Sequence, residues 1–321
     1  MRNALLAGLA VATGLCTTSA VAQTWPVRAL KIISPFPAGG PTDTMARPVA
    51  EHLAKVLGQP VIIESRPGAG STIGASFVAK SDPDGYTFLF GTNSGFSIGP
   101  ALYAKAGYTA ASFAPIVLVA EAPMVLCVSN KSGVKTVAEL VAAVRKSPEE
   151  FSFASVGVAT SLHLLGERFN QTAGLKMAHV PYRGSAPAMN DLVGGQVQVF
   201  FDVASSALPQ AEANNIRVLM VLDKQRAPKL PDVPTSQEAG FPEFLGTFWG
   251  GLAAPVGTPQ AIVEQLNREI NAFIKTPEYT RLMTNLTFST VGGTAKEFGD
   301  RMVSEAAIWK AVGDKAGIRV D

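Results

Sequence analysis

The chain has 321 residues, of which 47% are hydrophobic and only 16% charged, and its 27 lysines and arginines against 25 aspartates and glutamates leave a net charge of +2. That length is enough for two α/β domains with separate cores, and the near-neutral balance excludes a basic field for nucleic acid or for an anionic membrane surface. The partner this implies is a small molecule or another protein.

Residues 1–22 begin with Arg2, run apolar from Ala4 to Leu15, and end in Ala20-Val21-Ala22 before Gln23. A charged start, a short apolar core and small residues before a cut describe a secretory signal, and the run is too short to span a bilayer comfortably. Export to the periplasm with a mature start near Gln23 is the expectation. An uncleaved anchor is the alternative, and no second long apolar stretch supports it. Cys16 follows bulky Leu15, where a lipoprotein signal wants a small residue, so lipidation is not expected. Cutting after Ala22 leaves Cys127 alone in the apolar run Met124–Val128, which excludes an internal disulfide and reads as a buried, inert thiol.

From Leu30 onward, short β-branched runs alternate with helical patterns, and Pro or Gly separates nearly every pair. Strands are predicted at 30–34, 61–64, 87–91, 116–120, 124–129, 151–154, 177–180, 197–201, 216–222 and 248–253. This alternation predicts parallel sheets covered by helices on both faces. The first strand runs into a Pro/Gly turn, Pro35 to Pro41, and then into a helix drawn over 43–57 and opened by Thr42 and Asp43. Unpaired amides at a helix start hold anions, so this turn is a place to grip a carboxylate. Pro48 inside that helix is a local conflict, because its missing N–H loosens or kinks the first turns.

Gly68-Ala69-Gly70-Ser71-Thr72-Ile73-Gly74 superficially resembles a dinucleotide loop, but its spacing is G-x-G-x-x-x-G and no ribose-binding acid ends a following strand. It reads as a tight turn packed beside the cleft. The runs 116–120 and 124–129 are separated around Pro123, and a second apolar return at 248–253 precedes Ala254-Pro255. Two such crossings place 124–247 in one lobe and 23–123 with 248–321 in the other, joined by a hinge that opens and closes. Thr136 with Glu139, and Thr294 with Glu297, fit capping boxes, and Pro259 reads as the first residue of a helix whose Ile262, Leu266, Ile270 and Phe273 share a face.

The stretch Phe153 to Leu164 repeats the opening theme: a strand ends, a small-residue loop follows, and Thr160 or Ser161 caps a helix whose Leu162, Leu165 and Phe169 face inward. Each lobe therefore offers a strand-to-helix turn rich in free N–H groups, at the carboxyl end of a strand where α/β sheets bind ligands. Facing each other, the two turns clamp one anionic ligand from both sides.

At this point a resemblance carries further. Trp25-Pro26 with the Pro35–Asp43 loop, Glu64-Ser65-Arg66-Pro67-Gly68-Ala69-Gly70, Pro83-Asp84-Gly85-Tyr86-Thr87 and Val180-Pro181-Tyr182-Arg183-Gly184-Ser185-Ala186-Pro187-Ala188 are one half of it. Gly194-Gly195-Gln196-Val197 with Phe201-Asp202, Pro234-Thr235-Ser236-Gln237-Glu238-Ala239-Gly240 and Ala254-Pro255-Val256-Gly257-Thr258-Pro259 are the other. Together they resemble the Bug family, the extracytoplasmic solute receptors of tripartite tricarboxylate transporters, in collinear order over essentially the whole mature chain. The resemblance implies a type II periplasmic binding protein fold: two doubly wound α/β lobes of parallel or mixed sheet on a two-strand hinge, closing like a Venus flytrap on a small organic acid. It also implies membrane transporter subunits as partners, no cofactor and no catalytic residue.

Carried onto this chain, the resemblance implies ligand contacts from Phe36, Ala38, Gly39, Thr42 and Asp43, opposed by Ser155, Gly157, Ala159, Thr160 and Ser161. Thr92, Asn93 and Ser94, just after the strand at 87–91, are placed to line the floor. Asp202 either receives an amino or hydroxyl group of the ligand or ties the hinge. Arg183 either pairs with a ligand carboxylate or, as is commoner, forms a structural ion pair near the hinge. Phe36, Phe96 and Tyr182 are aromatic candidates for the far end of the ligand, and each is equally able to be packing.

His52, His163 and His179 lie far apart in sequence without Cys or acidic partners at ligand spacing, so no metal site is expected, and His163 reads as a packing residue. No G-x-S-x-G elbow occurs, and Ser161 has no visible base–acid pair, which weakens a hydrolase. The reading is a monomeric binding protein for a carboxylate-bearing acid. A receptor for a membrane sensor kinase is the alternative, and an exported enzyme on the same fold a weaker one. Dicarboxylates, amino acids and aromatic acids all remain open as ligands.

Overall fold

The computed structural model describes residues 25–321, so the segment expected to be a secretory signal, with Cys16, lies outside the described residues. Strands β1 (Leu30–Ser34), β2 (Val61–Ser65), β3 (Thr87–Thr92), β4 (Phe113–Ser129) and β5 (Ser152–Ser155) come first in the chain. They are followed by β6 (Ala178–Pro181), β7 (Val199–Val203), β8 (Ile216–Val221), β9 (Thr247–Pro255) and β10 (Ser289–Thr290). The helices are α1 (Pro41–Leu57), α2 (Thr72–Ala79), α3 (Gly99–Leu102), α4 (Val137–Lys146) and α5 (Ser161–Ala173). To these the chain adds α6 (Ser185–Gly194), α7 (Ala204–Glu212), α8 (Gln260–Ile274), α9 (Pro277–Asn285) and α10 (Ala295–Lys315).

The strands order as β2-β1-β3-β9-β4-β7-β5-β6, with β8 and β10 also paired to β4. Adjacent residues point to opposite faces, and both faces are buried. Ile32 and Phe88 join one apolar cluster, while their neighbours Ile33 and Leu89 join another. Parallel pairing holds for β1 with β2 and β3, and for β5 with β6 and β7. At the centre the pairing is antiparallel, as the mixed alternative allows: β9 pairs antiparallel with β3 and β4, and β4 pairs antiparallel with β7 and β8. The sheet is therefore mixed.

The runs predicted at 116–120 and 124–129 are one 17-residue strand, β4. Its first part pairs with β9 as far as Pro123 opposite Thr247, and from Met124 it pairs with β7 and β8. Pro123 sits where the strand changes partners, the place at which a missing N–H costs least. The chain returns beside this point: Met124 N–H donates to Gly246 O and Gly246 N–H to Leu222 O. Two strands, β4 and β9, thus carry the chain between the lobes.

α1 runs unbroken through Pro48 from Pro41 to Leu57, despite the lost donor. Thr294 and Glu297 cap each other reciprocally, whereas Glu139 reaches past its predicted partner to the Lys135 N–H. α8 starts at Gln260, one residue after Pro259. Cys127 is fully buried on β4, and that burial raises its thiol pKa well above the usual range, as an inert core thiol requires. No helix among the described residues is long and apolar enough to cross a membrane.

Candidate functional site

A cavity of about 50 Å³ lies between the lobes where the starts of α1, α5 and α6 converge. On the first lobe its wall comprises Phe36, Ala38 and Thr42, with Ser94 from the turn after β3; Ser161 and Leu162 open α5 opposite, and Gly184, Ser185 and Ala186 open α6. That volume accommodates a few waters or a compact polar group.

The α1 start is open for a local reason. Its cap is Gly40, which has no side chain to spend on the first turn, and Pro41 follows at the first helical position. The first backbone bond of the helix runs from Thr44 N–H to Gly40 O, so the amides of Thr42 and Asp43 precede it and have no acceptor inside the helix. The Asp43 carboxylate accepts from the Gly39 N–H at 3.1 Å and pairs with Arg47 at 2.7 Å, so the Asp43 side chain and the Gly39 amide are engaged within the turn.

The α5 start is arranged differently. Thr160 Oγ1 accepts from the His163 N–H, and Ser161 N–H donates to Ser94 Oγ of the first lobe at 3.3 Å. A second bond between the lobes, from Tyr103 Oη to Val158 O at 2.8 Å, lies beside it. Gly70 is packed so closely here that a Cβ would stand 2.7 Å from Val158 O, and its φ of +58° is one that side-chain-bearing residues rarely adopt.

Beneath the loop, Ala159 N–H donates to His163 Nδ1 at 3.0 Å, which fixes the neutral tautomer with its proton on Nε2. The His163 ring stacks on His179 with centroids 3.8 Å apart, and His179 Nε2 bonds Ser155 Oγ at 2.7 Å. Burial lowers the pKa of His163 to about 4, and burial together with the neighbouring imidazole lowers that of His179 to about 3. Ser155, Ala159 and Thr160 therefore brace the loop and do not line the cavity. Gly157 and Tyr182 line a larger outer groove instead, and the Tyr182 hydroxyl is held by Asp191 at 2.7 Å.

At α6, Gly184 precedes the helix at φ +130°, which lets the chain turn so that the amides of Ser185 and Ala186 open on the cavity. Asp202 sits behind this start. Its carboxylate accepts from Ser185 Oγ at 2.9 Å, from the Val203 N–H at 2.8 Å and from Ser206 Oγ, and it is fully buried. Burial raises its pKa to about 6, against the lowering effect of those donors. Asp202 thereby holds the Ser185 hydroxyl behind the α6 start.

The remaining predicted residues divide cleanly. Asn93 Nδ2 donates to Thr247 O and its Oδ1 accepts from the Ser94 N–H, so it holds the floor without lining it. Thr92 is buried on β3, and its hydroxyl has no partner among the described residues. Phe96 is core: it packs edge-on against Phe113 and Phe298 and parallel to Trp249. Arg183 lines the cavity and forms no ion pair among the described residues, against the structural pairing expected as commoner. The described residues hold no group of three or more His, Cys, Asp or Glu able to bind a metal.

Residues 45–318 match the family model described as "Tripartite tricarboxylate transporter family receptor". The chain belongs to this receptor family. It is 33% identical over 315 residues to Protein BugT of Bordetella pertussis, covering 98% of this chain and 97% of that protein. Among solved structures it resembles the periplasmic binding protein BugD, with a TM-score of 0.87 at 34% identity over 92% of this chain and all of that one. It resembles equally the R. palustris protein Rpa4515, solved with adipate, with a TM-score of 0.89 at 34% identity and coverage of 92% and 100%.

The receptor's sequence carried one further signal that the site assignments passed over. Gly184-Ser185-Ala186-Pro187 follows a strand with a glycine and a hydroxyl, as both other turns do, and with a proline as in the first, and it is a helix start on the same grounds. Phe248 of β9 and Val203 at the end of β7 also reach the cavity. Nothing in their local sequence marks them, because their place follows from strand pairing.

Proposed function

We propose that this receptor captures a small carboxylate-bearing organic acid in the interlobe cavity and delivers it, from the periplasm, to the membrane subunits of a tripartite transporter. One observation carries the reading: the starts of α1, α5 and α6 meet at one cavity, and no Asp or Glu is among the residues lining it. Helix-start amides favour a negative group, and the absence of a lining acid leaves nothing to repel it. Adipate in a relative 34% identical supports the ligand class.

In this reading the protein is exported as a monomer with its leader removed near Ala22, and the lobes are 23–123 with 248–321 and 124–247. They close about β4 and β9. The acid enters the open cleft, its carboxylate takes the first-turn amides of α1 and α6, and closure brings Ser94 and Ser161 onto it. Each charge-assisted hydrogen bond contributes roughly 1.5–3 kcal/mol, so a few of them support micromolar binding after ordering costs. The closed form is the shape the membrane partner reads, and the acid leaves chemically unchanged.

A thermal-shift screen of the purified protein against a panel of organic acids tests this, because a ligand that binds only the native state raises the melting temperature. At least one acid is expected to raise it in a concentration-dependent way, and to be recovered intact after long incubation. A panel that leaves the melting temperature unmoved contradicts the reading, and turnover of the bound acid replaces it with an enzyme.

A further inference from the structure

The hydrogen bond from Tyr103 Oη to Val158 O joins the lobes without entering the inner cavity. Neither residue stands in the cavity wall, and both line the outer groove of about 640 Å³ beside it. Ser94 and Ser161, which also bond across the cleft, line the cavity itself. The Tyr103 bond therefore ties the lobes at a place separate from the helix starts.

Each end of this bond is set by a turn that is costly to hold. On the second lobe, Ala159 has φ +51°, and its N–H is fixed by His163 Nδ1, which leaves the preceding carbonyl, Val158 O, turned toward the first lobe. On the first lobe, four consecutive residues take positive φ: Gly68 at +129°, Ala69 at +42°, Gly70 at +58° and Ser71 at +82°. Ala69 and Ser71 carry side chains in a region such residues rarely adopt, and conformations of this kind persist where the surrounding structure over-determines them and function uses them. What this turn achieves is proximity. A Cβ on Gly70 would stand 2.7 Å from both Tyr103 Oη and Val158 O, and one on Gly157 would stand 4.0 Å from the Gly70 Cα. A glycine on each lobe thus lets the two backbones meet around the bond.

Tyr103 is also mounted from behind. The Val320 N–H donates to Leu102 O at 3.0 Å and the Ala104 N–H donates to Val320 O at 2.9 Å, a parallel bridge that fixes the backbone on both sides of the tyrosine. Burial raises the Tyr103 phenol to about 12, so the hydroxyl keeps its proton and stays a donor at neutral pH.

We propose that Tyr103 is a positioning residue for capture: by giving its hydroxyl to Val158 O it latches the lobes shut, and so sets how long any acid is held without choosing which acid is held. This rests on the hinged, two-lobe reading above. A latch that favours the closed form scales the apparent affinity for every ligand of that form by one common factor, whereas a ligand contact discriminates among them.

The test compares the purified protein with Tyr103→Phe, which keeps the ring and removes the donor. Small-angle X-ray scattering of the two without added acid reads the ratio of closed to open forms, since the radius of gyration grows as the lobes part. That ratio is expected to fall about twofold to tenfold in Tyr103→Phe, as one neutral hydrogen bond implies. Titration with adipate and with succinate is expected to show both acids weakened by that same factor, through faster dissociation, with the ratio of their affinities unchanged. Identical scattering from the two proteins overturns the latch, and weakening of one acid alone overturns it by making Tyr103 a ligand contact. The scattering needs no acid, so it decides the latch even where neither acid binds, and a failed panel of acids counts against the reading above alone.

Discussion

The two turns that look alike in sequence, Pro35 to Asp43 in the first lobe and Ser155 to Ser161 in the second, do opposite things with their amides. The first is capped by a glycine and leaves the Thr42 and Asp43 N–H groups open. The second is capped by Thr160, which takes the His163 N–H, and gives the Ser161 N–H to Ser94 across the cleft. A helix that satisfies its own start is a brace; one that cannot is a grip. The open grip of the second lobe comes instead from α6, whose Gly184 cap repeats the glycine solution of α1.

The largest way to break this contrast is acid. His163 and His179 are held neutral at about 4 and about 3, below the ordinary 6.5, so the unfolded chain takes up protons first as pH falls. Stability tied to them is full above pH 6.5 and is lost between 6.5 and about 4, by roughly 3 kcal/mol from His163 alone. Asp202 acts in the opposite sense, since its carboxyl is raised from 3.8 to about 6 and the native state gains protons first in that window. Denaturation midpoints measured from pH 7 to pH 4 are expected to fall steeply, and to fall less in His163→Asn. A flat profile over that range contradicts a brace built on neutral histidines.

Converting the first turn into the second sharpens the contrast. Gly40 has extended φ and ψ, and a Cβ there meets nothing nearer than Pro37 O at 3.9 Å, so Gly40→Asp fits as a side-chain cap. It is expected to raise stability by a few tenths of a kcal/mol while spending the α1 amides, lowering acid affinity on the order of tenfold to a hundredfold. Titration calorimetry beside a denaturation curve reads both, and undiminished affinity argues that α1 is not a grip.

The smallest effect is expected at Thr160→Ala. Losing the α5 cap costs about 1 kcal/mol of stability. Affinity changes by no more than about twofold, because that amide is structural. A large affinity loss at wild-type stability returns Thr160 to the ligand.

Much of the scaffold was legible because apolar periodicity and Pro/Gly punctuation are local: β1 was read with its observed ends, and β2 and β3 to within a residue. The continuity of β4 was not, because Pro123 reads as a break unless its change of partner is known. Phe36, Ala38, Thr42, Ser94, Ser161 and Arg183, expected at the turns from sequence, line the inner cavity. The side chains of Asp43, Asp202 and Thr160 are engaged with Arg47, Ser185 and His163, because a polar side chain beside a ligand turn is as often spent on that turn, and these partners are set by the folded chain. His163 and His179, 16 positions apart in the numbering, become a stacked pair only in three dimensions.

The most direct measurement is a crystal structure with a bound organic acid. A carboxylate is expected within hydrogen-bond reach of the Thr42 or Asp43 amide and of the Ser185 or Ala186 amide, with the His163 N–H still on Thr160. A carboxylate seated away from both glycine-capped helix starts contradicts it.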